Sequence, residues 1–111
     1  MPVYSVKEVC AIIGVSRKTL FYYDRIHLLE PLRRDGKLQY KKYGDEEVIR
    51  LKEIIQYRKA GLQIIEIRSL LDDPEADPLM ILKQALSRMK KDADVMQEQM
   101  NRIKELIEEY E

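Results

Sequence analysis

The sequence predicts a mainly α-helical protein with short helices, one β-hairpin and one long helix near its C-terminal end. Two short segments with helical apolar spacing flank the turn Gly14-Val15-Ser16. A basic stretch follows, and its Asp35-Gly36 pair is a strong signal for a hairpin turn. From Leu79 to Tyr110, apolar residues alternate between three- and four-residue spacings, which predicts a long helix with one narrow apolar seam.

The first helix has clear start and stop signals. Ser5 stands three residues before Glu8, a spacing typical of a capping box, and Gly14 suits the left-handed end of a helix. The predicted core-facing residues are Val6, Val9, Ile12 and Ile13. Cys10 lies among them, and we expect it to be a small buried core residue rather than a metal ligand.

The second helix is predicted from Arg17 to about Ile26, with Ser16 as its cap and Leu20 as its apolar anchor. Its other faces carry side chains that can hydrogen-bond to phosphates and base edges, with Asp24 as the only acid. An ordinary αα-hairpin is the structural alternative, but this surface favours a DNA-binding helix-turn-helix. The candidate DNA contacts are Ser16, Arg17, Lys18, Thr19, Tyr22, Tyr23 and Arg25.

The hairpin that follows has basic flanks and two tyrosines on its return strand. A basic hairpin directly after a helix-turn-helix predicts a wing that lies on the DNA backbone, although an isolated hairpin of this kind could simply be solvated. The candidate contacts are Arg33, Arg34, Lys37, Tyr40 and Lys41.

Two further helices complete the predicted first domain, residues 1–73. The acids at 45–47 favour the start of a helix that ends at Ala60-Gly61. Its predicted core residues are Val48, Leu51, Ile54 and Ile55, and those of the next helix are Ile64, Ile67, Leu70 and Leu71. Two prolines and four acids near residues 72–78 break the pattern, so we predict a linker at 74–78.

The segment 79–111 is predicted to be a dimerisation helix in a coiled coil, because a long helix with one narrow seam needs a partner helix. The alternative is that it packs back on its own domain, which is too small to cover most of it. The predicted dimer interface is Leu79, Leu82, Leu86, Met89, Ala93, Met96, Met100, Ile103, Ile107 and Tyr110.

The charge is divided unequally along the chain although the total is zero. Residues 1–43 hold nine Lys/Arg and four Asp/Glu, a net +5, and the remainder carries −5. A basic head indicates a polyanionic partner. With one cysteine and one histidine, no Cys/His metal cluster can form within one chain, and no catalytic site, cofactor or metal is expected. The absence of a signal-peptide pattern, of membrane-spanning apolar runs and of a possible internal disulfide predicts a cytoplasmic protein.

Several motifs occur together and in order. They are Tyr4-Ser5-Val6-Lys7-Glu8-Val9, Gly14-Val15-Ser16, Thr19-Leu20-Phe21-Tyr22-Tyr23-Asp24, Leu28-Leu29, Gln39-Tyr40-Lys41-Lys42-Tyr43, Arg58-Lys59-Ala60-Gly61-Leu62 and Ile64-Ile65-Glu66-Ile67. As a set they resemble the MerR family of bacterial transcription regulators over residues 4–71. The resemblance implies a winged helix-turn-helix, a second wing with Arg58 as a further DNA contact, and dimerisation through an antiparallel helix pair.

Four positions depart from the family pattern. Phe21 replaces the usual Arg of the DNA-reading helix, His27 and Gln39 replace usual glycines, and Lys41 replaces the usual Arg of the wing. Lysine can still meet a phosphate, although not in the bidentate way of arginine. We therefore expect DNA binding, whereas the resemblance does not predict the target sequence.

The predicted function is that of a non-enzymatic transcriptional regulator. We expect a homodimer that binds an inverted-repeat promoter operator in double-stranded DNA and distorts it, with RNA polymerase as a further candidate partner. Since the sequence stops at Glu111 within the heptad pattern, we also expect a member without a C-terminal effector domain. Two alternatives are an architectural DNA-bending protein of the excisionase type and a protein-interaction module that acts through its coiled coil.

Overall fold

The computed structural model describes residues 2–111, and the predicted mainly α-helical architecture is confirmed. In chain order the elements are β1 (Tyr4–Ser5), α1 (Val6–Ile13), α2 (Arg17–Arg25), β2 (Arg33–Asp35), β3 (Tyr40–Tyr43), α3 (Asp45–Lys59), α4 (Ile64–Asp72) and α5 (Pro78–Tyr110). The chain forms two compact units, one that ends at Arg68 and one that comprises Ser69–Glu111.

Side-chain caps start α1 and α2 as the sequence predicts. Ser5 Oγ accepts a hydrogen bond from the Glu8 N–H at 3.1 Å, and Glu8 Oε1 accepts one from the Ser5 N–H at 3.1 Å. Gly14 ends α1 with φ 78°, a left-handed conformation that glycine adopts without a Cβ penalty. Ser16 Oγ accepts from the Thr19 N–H at 3.0 Å and begins α2.

The wing is the hairpin of β2 and β3, and it belongs to a three-stranded antiparallel sheet in the order β1-β3-β2. Register pairs join Arg34 to Lys41 and Tyr4 to Tyr43. The four-residue turn between β2 and β3 contains Gly36 at φ 72° and Gln39 at φ 54°. The sequence predicted the hairpin but not β1, whose two residues resemble only the cap of the following helix.

The core of the first unit gathers apolar residues from every helix before the break at 73–77 and from β3. The largest fully buried side chains are Tyr43, Leu20, Leu28, Leu29, Leu51, Ile54, Ile67 and Val9. Ile12 is predicted to face this core, but it is 53% exposed. The helix α1 has only eight residues, and Val9 is the one residue of it that is fully buried. Cys10, predicted to be buried, is half-buried.

The second unit is dominated by α5, a helix of 33 residues that spans about 50 Å. Asp77 caps it by accepting from the Leu79 N–H at 3.1 Å, and Pro78 occupies its first turn. Most of the predicted seam is exposed on the single chain, and Met89 is half-buried. Within residues 2–111, no helix is long and apolar enough to cross a membrane.

Candidate nucleic-acid interface

The outward face of α2 carries cations and one aromatic ring. Arg17, Lys18, Tyr22 and Arg25 are all exposed. The Arg25 guanidinium lies 5.7 Å from the centre of the Tyr22 ring, a cation–π contact that orients both side chains. This surface can therefore present hydrogen-bond donors and an aromatic edge to a DNA groove.

Ser16 and Thr19 lie at the N-terminal end of the same helix, and their side chains are engaged with each other. Ser16 Oγ lies 2.9 Å from Thr19 Oγ1 while it also caps the helix. Both hydroxyls keep lone pairs and stand beside the free N–H groups of the helix start, which favour an anion such as a phosphate.

The sequence predicts that Tyr23 faces outward, but this prediction is wrong, because the structure buries the side chain to 5% exposure. Leu20 is the only other buried apolar residue on α2, and Tyr23 follows it by one helical turn. The aromatic ring of Tyr23 therefore packs in the hydrophobic core. The spacing from Leu20 through Tyr23 to the buried Leu28 is a signal that sequence reasoning could have used.

Asp24, Arg34 and Lys41 form a charged group, called here the Asp24 cluster. Arg34 donates two hydrogen bonds to Asp24, from Nη1 to Oδ2 at 2.9 Å and from Nη2 to Oδ1 at 2.8 Å. Lys41 Nζ lies 2.8 Å from Asp24 Oδ2. Both cations are predicted DNA contacts, and in the structure of the chain alone they pair with a carboxylate of α2.

Asp24 and Lys41 are largely withdrawn from solvent, whereas the Arg34 side chain is 39% exposed. Asp24 is 6% exposed, and the side chain of Lys41 is 19% exposed. Hydrogen bonding from Arg34 lowers the pKa of the Asp24 carboxyl below its usual value, burial opposes that shift, and Lys41 adds to the lowering. The carboxylate is therefore ionised at neutral pH.

Phe21 occupies the position where the family pattern has arginine, and its ring is partly exposed. The Lys41 ammonium lies 4.0 Å from the centre of this ring. The ring thus accepts a cation from the wing, whereas an arginine there would itself supply a cation.

The wing presents its remaining polar side chains to solvent. Arg33 pairs with Asp35 on the same strand at 2.9 Å, while Lys37, Leu38 and Tyr40 are exposed at or beside the turn. An open cleft of about 450 Å³ separates this part of the wing from α2. Its lining includes Arg17, Phe21, Leu38, Tyr40, Lys41 and Lys42.

Two arginines from later helices hold the backbone at the C-terminal end of α2. Arg50 Nε donates to the Leu28 carbonyl at 2.9 Å, and Arg68 donates to the carbonyls of Ile26 and His27. These contacts fix the exit of the helix, where His27 has φ 60°. Neither arginine contact is predicted from the sequence, since a contact between distant segments leaves no local pattern.

Arg58, the predicted contact of the second wing, lies at the end of α3 and is exposed. Its Nη1 donates to the Leu62 carbonyl at 2.9 Å, across the turn that contains Gly61 at φ 87°. The guanidinium therefore stabilises this turn and remains accessible at its surface. Among residues 2–111, no group of three or more His, Cys, Asp or Glu side chains is arranged to hold a metal ion.

A helix-turn-helix whose second helix exposes cations, followed by a basic wing, defines the class of winged helix-turn-helix DNA-binding proteins. The sequence profile described as MerR HTH family regulatory protein matches residues 4–73. The chain therefore belongs to the MerR family of DNA-binding transcriptional regulators, and it is a regulator rather than an enzyme.

Curated relatives and solved structures agree with this assignment. The HTH-type transcriptional activator TipA of Streptomyces coelicolor is 43% identical over 75 residues, which cover 68% of this chain and 29% of TipA. The crystal structure of MtaN, the N-terminus of the Bacillus subtilis multidrug transporter activator, matches with a TM-score of 0.80 and 33% identity over 94% of this chain and 97% of MtaN.

A cryo-EM structure of an EcmrR–DNA complex matches with a TM-score of 0.84 and 25% identity. The match covers 95% of this chain and 38% of EcmrR. The chain also spans only 29–37% of the length of the first curated relatives that it matches.

Proposed function

We propose that this regulator binds an inverted-repeat promoter operator as a homodimer and distorts the DNA between the two half-sites. The observation that carries the proposal is the exposed apolar seam of α5 in a chain that has a single DNA-reading helix, α2. A second copy covers the seam and supplies the second reading head.

The exposed seam supports the dimer. Its exposed members recur at heptad spacing along the whole of α5, from Leu79 at 61% exposure to Tyr110 at 91%. A continuous apolar stripe of this length on a monomer would favour association. Pairing of two α5 helices, antiparallel as the family resemblance implies, buries both stripes at once.

The surface of α2 and the wing supports binding to double-stranded DNA. Arg17, Lys18 and Arg25 are exposed on α2, and Lys37 and Tyr40 are exposed on the wing. Side chains of these types bind phosphates and base edges. The similar fold of EcmrR has been seen in a complex with DNA. A two-fold dimer of such heads matches an inverted repeat.

Distortion of the operator is the mechanism that we infer from the family resemblance and a dimer with two reading heads. Bending a short DNA site smoothly costs on the order of 1–6 kcal/mol, which the contacts of two helices and two wings can offset. TipA, a relative of this chain, is named as a transcriptional activator. We propose that the bent operator is presented to RNA polymerase and that the protein acts in the cytoplasm.

Three experiments test this proposal. Size-exclusion chromatography with light scattering should give twice the chain mass, and a monomer at micromolar concentration would contradict the dimer. A duplex selected from a random library should contain an inverted repeat, and its affinity should fall steeply with salt. Circularly permuted fragments of that duplex should migrate differently according to the position of the site, and equal mobility would exclude bending.

A further inference from the structure

The single acid of α2 contacts the wing instead of facing solvent. Both carboxylate oxygens of Asp24 are occupied, Oδ1 by Arg34 and Oδ2 by Arg34 and Lys41. On a surface that is to meet a polyanion, a carboxylate is unfavourable unless it has another task. The two cations that surround it indicate what that task is.

The two cations come from the two strands of the wing and are neighbours in the sheet. Arg34 lies on β2, Lys41 lies on β3, and the register pairs them directly. One carboxylate on α2 therefore holds both strands of the hairpin. The paired hydrogen bonds from Arg34 also fix the direction of the contact, because the guanidinium and the carboxylate share a plane.

Phe21 provides a second point of contact on α2, one helical turn before Asp24. Its ring lies 4.0 Å from the Lys41 ammonium, so Lys41 contacts α2 at both positions. Beyond these contacts, the open cleft of about 450 Å³ lies between α2 and the wing. The Asp24 cluster and Phe21 therefore fix the wing at a defined position beside the helix.

We propose that Asp24 is a positioning residue for DNA recognition, which sets the wing relative to α2 so that both contact the operator in one register. This inference rests on the proposed function, in which helix and wing bind the same half-site. Arg34 and Lys41 then act mainly as internal partners of Asp24. The exposed cations of α2 and of the wing tip meet the DNA.

A purely electrostatic role and a positioning role of Asp24 predict opposite effects of its substitution on DNA binding. Asp24→Asn removes a negative charge and releases two cations, so simple electrostatics predicts tighter binding to every duplex. A positioning role predicts weaker binding to the preferred site relative to other DNA. The ratio of specific to non-specific affinity therefore separates the two roles.

The wing offers a matched control. Asp35 also carries one negative charge in the hairpin, but its carboxylate pairs with Arg33 on its own strand. Asp35→Asn changes the charge of the head by the same amount as Asp24→Asn and leaves the Asp24 cluster intact. It should leave the affinity ratio unchanged.

The experiment uses the full chain and a duplex selected by the wild-type protein from a random-sequence library. Affinities are measured for that duplex and for a scrambled duplex of equal length and composition. Asp24→Asn should lower the ratio about tenfold or more, comparable to a mismatched base pair, without weakening binding to the scrambled duplex. Hydroxyl-radical footprints should lose protection where the wing lies and keep it beneath α2.

Arg34→Gln provides a second, milder variant in case Asp24→Asn does not fold, which circular dichroism will show. Arg34 is exposed, so its loss leaves Asp24 with Lys41 as a partner. Arg34→Gln should also lower the affinity ratio, and the double variant should be no worse than Asp24→Asn alone, because the two residues act through one contact.

Three results would overturn the inference alone: an unchanged ratio in Asp24→Asn, an equal loss in Asp35→Asn, or additive effects of Asp24→Asn and Arg34→Gln. If the wild-type protein itself did not distinguish the selected duplex from the scrambled one, the proposed function would fail and this inference with it.

Discussion

His27 and Gln39 hold left-handed backbone conformations that usually belong to glycine. Their φ angles are 60° and 54°, and the family resemblance assigns glycine to both positions. An L-residue in this region costs roughly 1–2 kcal/mol relative to its preferred conformations. Substitution of either residue by glycine, the residue of the family pattern, therefore tests how much this backbone conformation destabilises the protein.

We predict that His27→Gly raises the free energy of unfolding by about 0.5 kcal/mol. Relief of strain outweighs the added entropy of glycine in the unfolded chain, about 0.5–1 kcal/mol. The exposed contact of His27 with Glu30 at 2.6 Å contributes little. Urea denaturation measures the change. Gly14→Ala is the control: no heavy atom lies within 4 Å of the added Cβ, so only the φ of 78° opposes it and the protein should lose stability.

Tyr43 carries a buried hydroxyl for which the part of the chain described here offers no hydrogen-bond partner. We predict that Tyr43→Phe leaves the free energy of unfolding unchanged or raises it by up to about 1 kcal/mol, because an unsatisfied polar group is removed. Tyr4→Phe is the matched control, since Tyr4 donates to Asp45 at 3.0 Å and its loss should destabilise. A substantial loss in Tyr43→Phe would show that the hydroxyl has a partner.

The same tyrosine predicts how stability changes in alkali. Burial is the main cause that raises the pKa of Tyr43 to about 12; the negative charge of Asp24 contributes to the rise, and Arg34 opposes it. Because the folded state keeps this proton more strongly than the unfolded chain, stability is full below the ordinary pKa and declines as pH rises toward 12. Thermal unfolding across this range should show a smaller decline for Tyr43→Phe than for the wild-type protein.

At the scale of the elements, local signals in the sequence set the helix boundaries and the hairpin. The ends of α1 and the start of α2 could be predicted because their capping residues, Ser5, Gly14 and Ser16, contact backbone within one helical turn. The Asp35-Gly36 pair likewise acts locally in the turn of the wing.

Contacts between distant segments could not be predicted in this way. The strand β1 exists only because Tyr4 meets Tyr43 across the fold, and nothing within its two residues indicates a strand. The same holds for the Asp24 cluster, because the sequence predicts Arg34 and Lys41 as DNA contacts and does not show that both pair with Asp24. The candidate site was therefore recognised by its composition, while the internal pairing of its charges required the structure.

We predict that Ser5→Ala lowers the free energy of unfolding by about 1 kcal/mol, since it removes the acceptor for the Glu8 N–H at the start of α1. Ser5→Thr keeps a hydroxyl acceptor and suits the strand β1, so it should retain most of the stability. Urea denaturation of both variants provides the comparison. Equal losses in the two would indicate that strand pairing, rather than the cap, depends on Ser5.

At the scale of the whole molecule, the seam of α5 is the surface on which the proposed dimer depends. We predict that Ala93→Glu weakens the dimer, because it places a charge within the apolar seam of each chain. Ser87→Glu adds the same charge at an exposed position of α5 outside the seam and should leave the dimer intact. Sedimentation over a range of concentrations measures both dissociation constants, and equal behaviour would place the interface elsewhere.

The proposed homodimer also implies that a two-fold axis crosses α5. In an antiparallel pair that uses the whole segment from Leu79 to Tyr110, the midpoint falls between Asp94 and Val95. Each Ala93 then faces Met96 of the other chain, and both such pairs lie beside the axis. In such a pair, a substitution beside the axis alters two neighbouring positions of the interface, one from each chain. A substitution near either end of α5 alters two positions that lie far apart. In the proposed dimer, the small Ala93 side chain therefore lies beside the two-fold axis that relates the two chains.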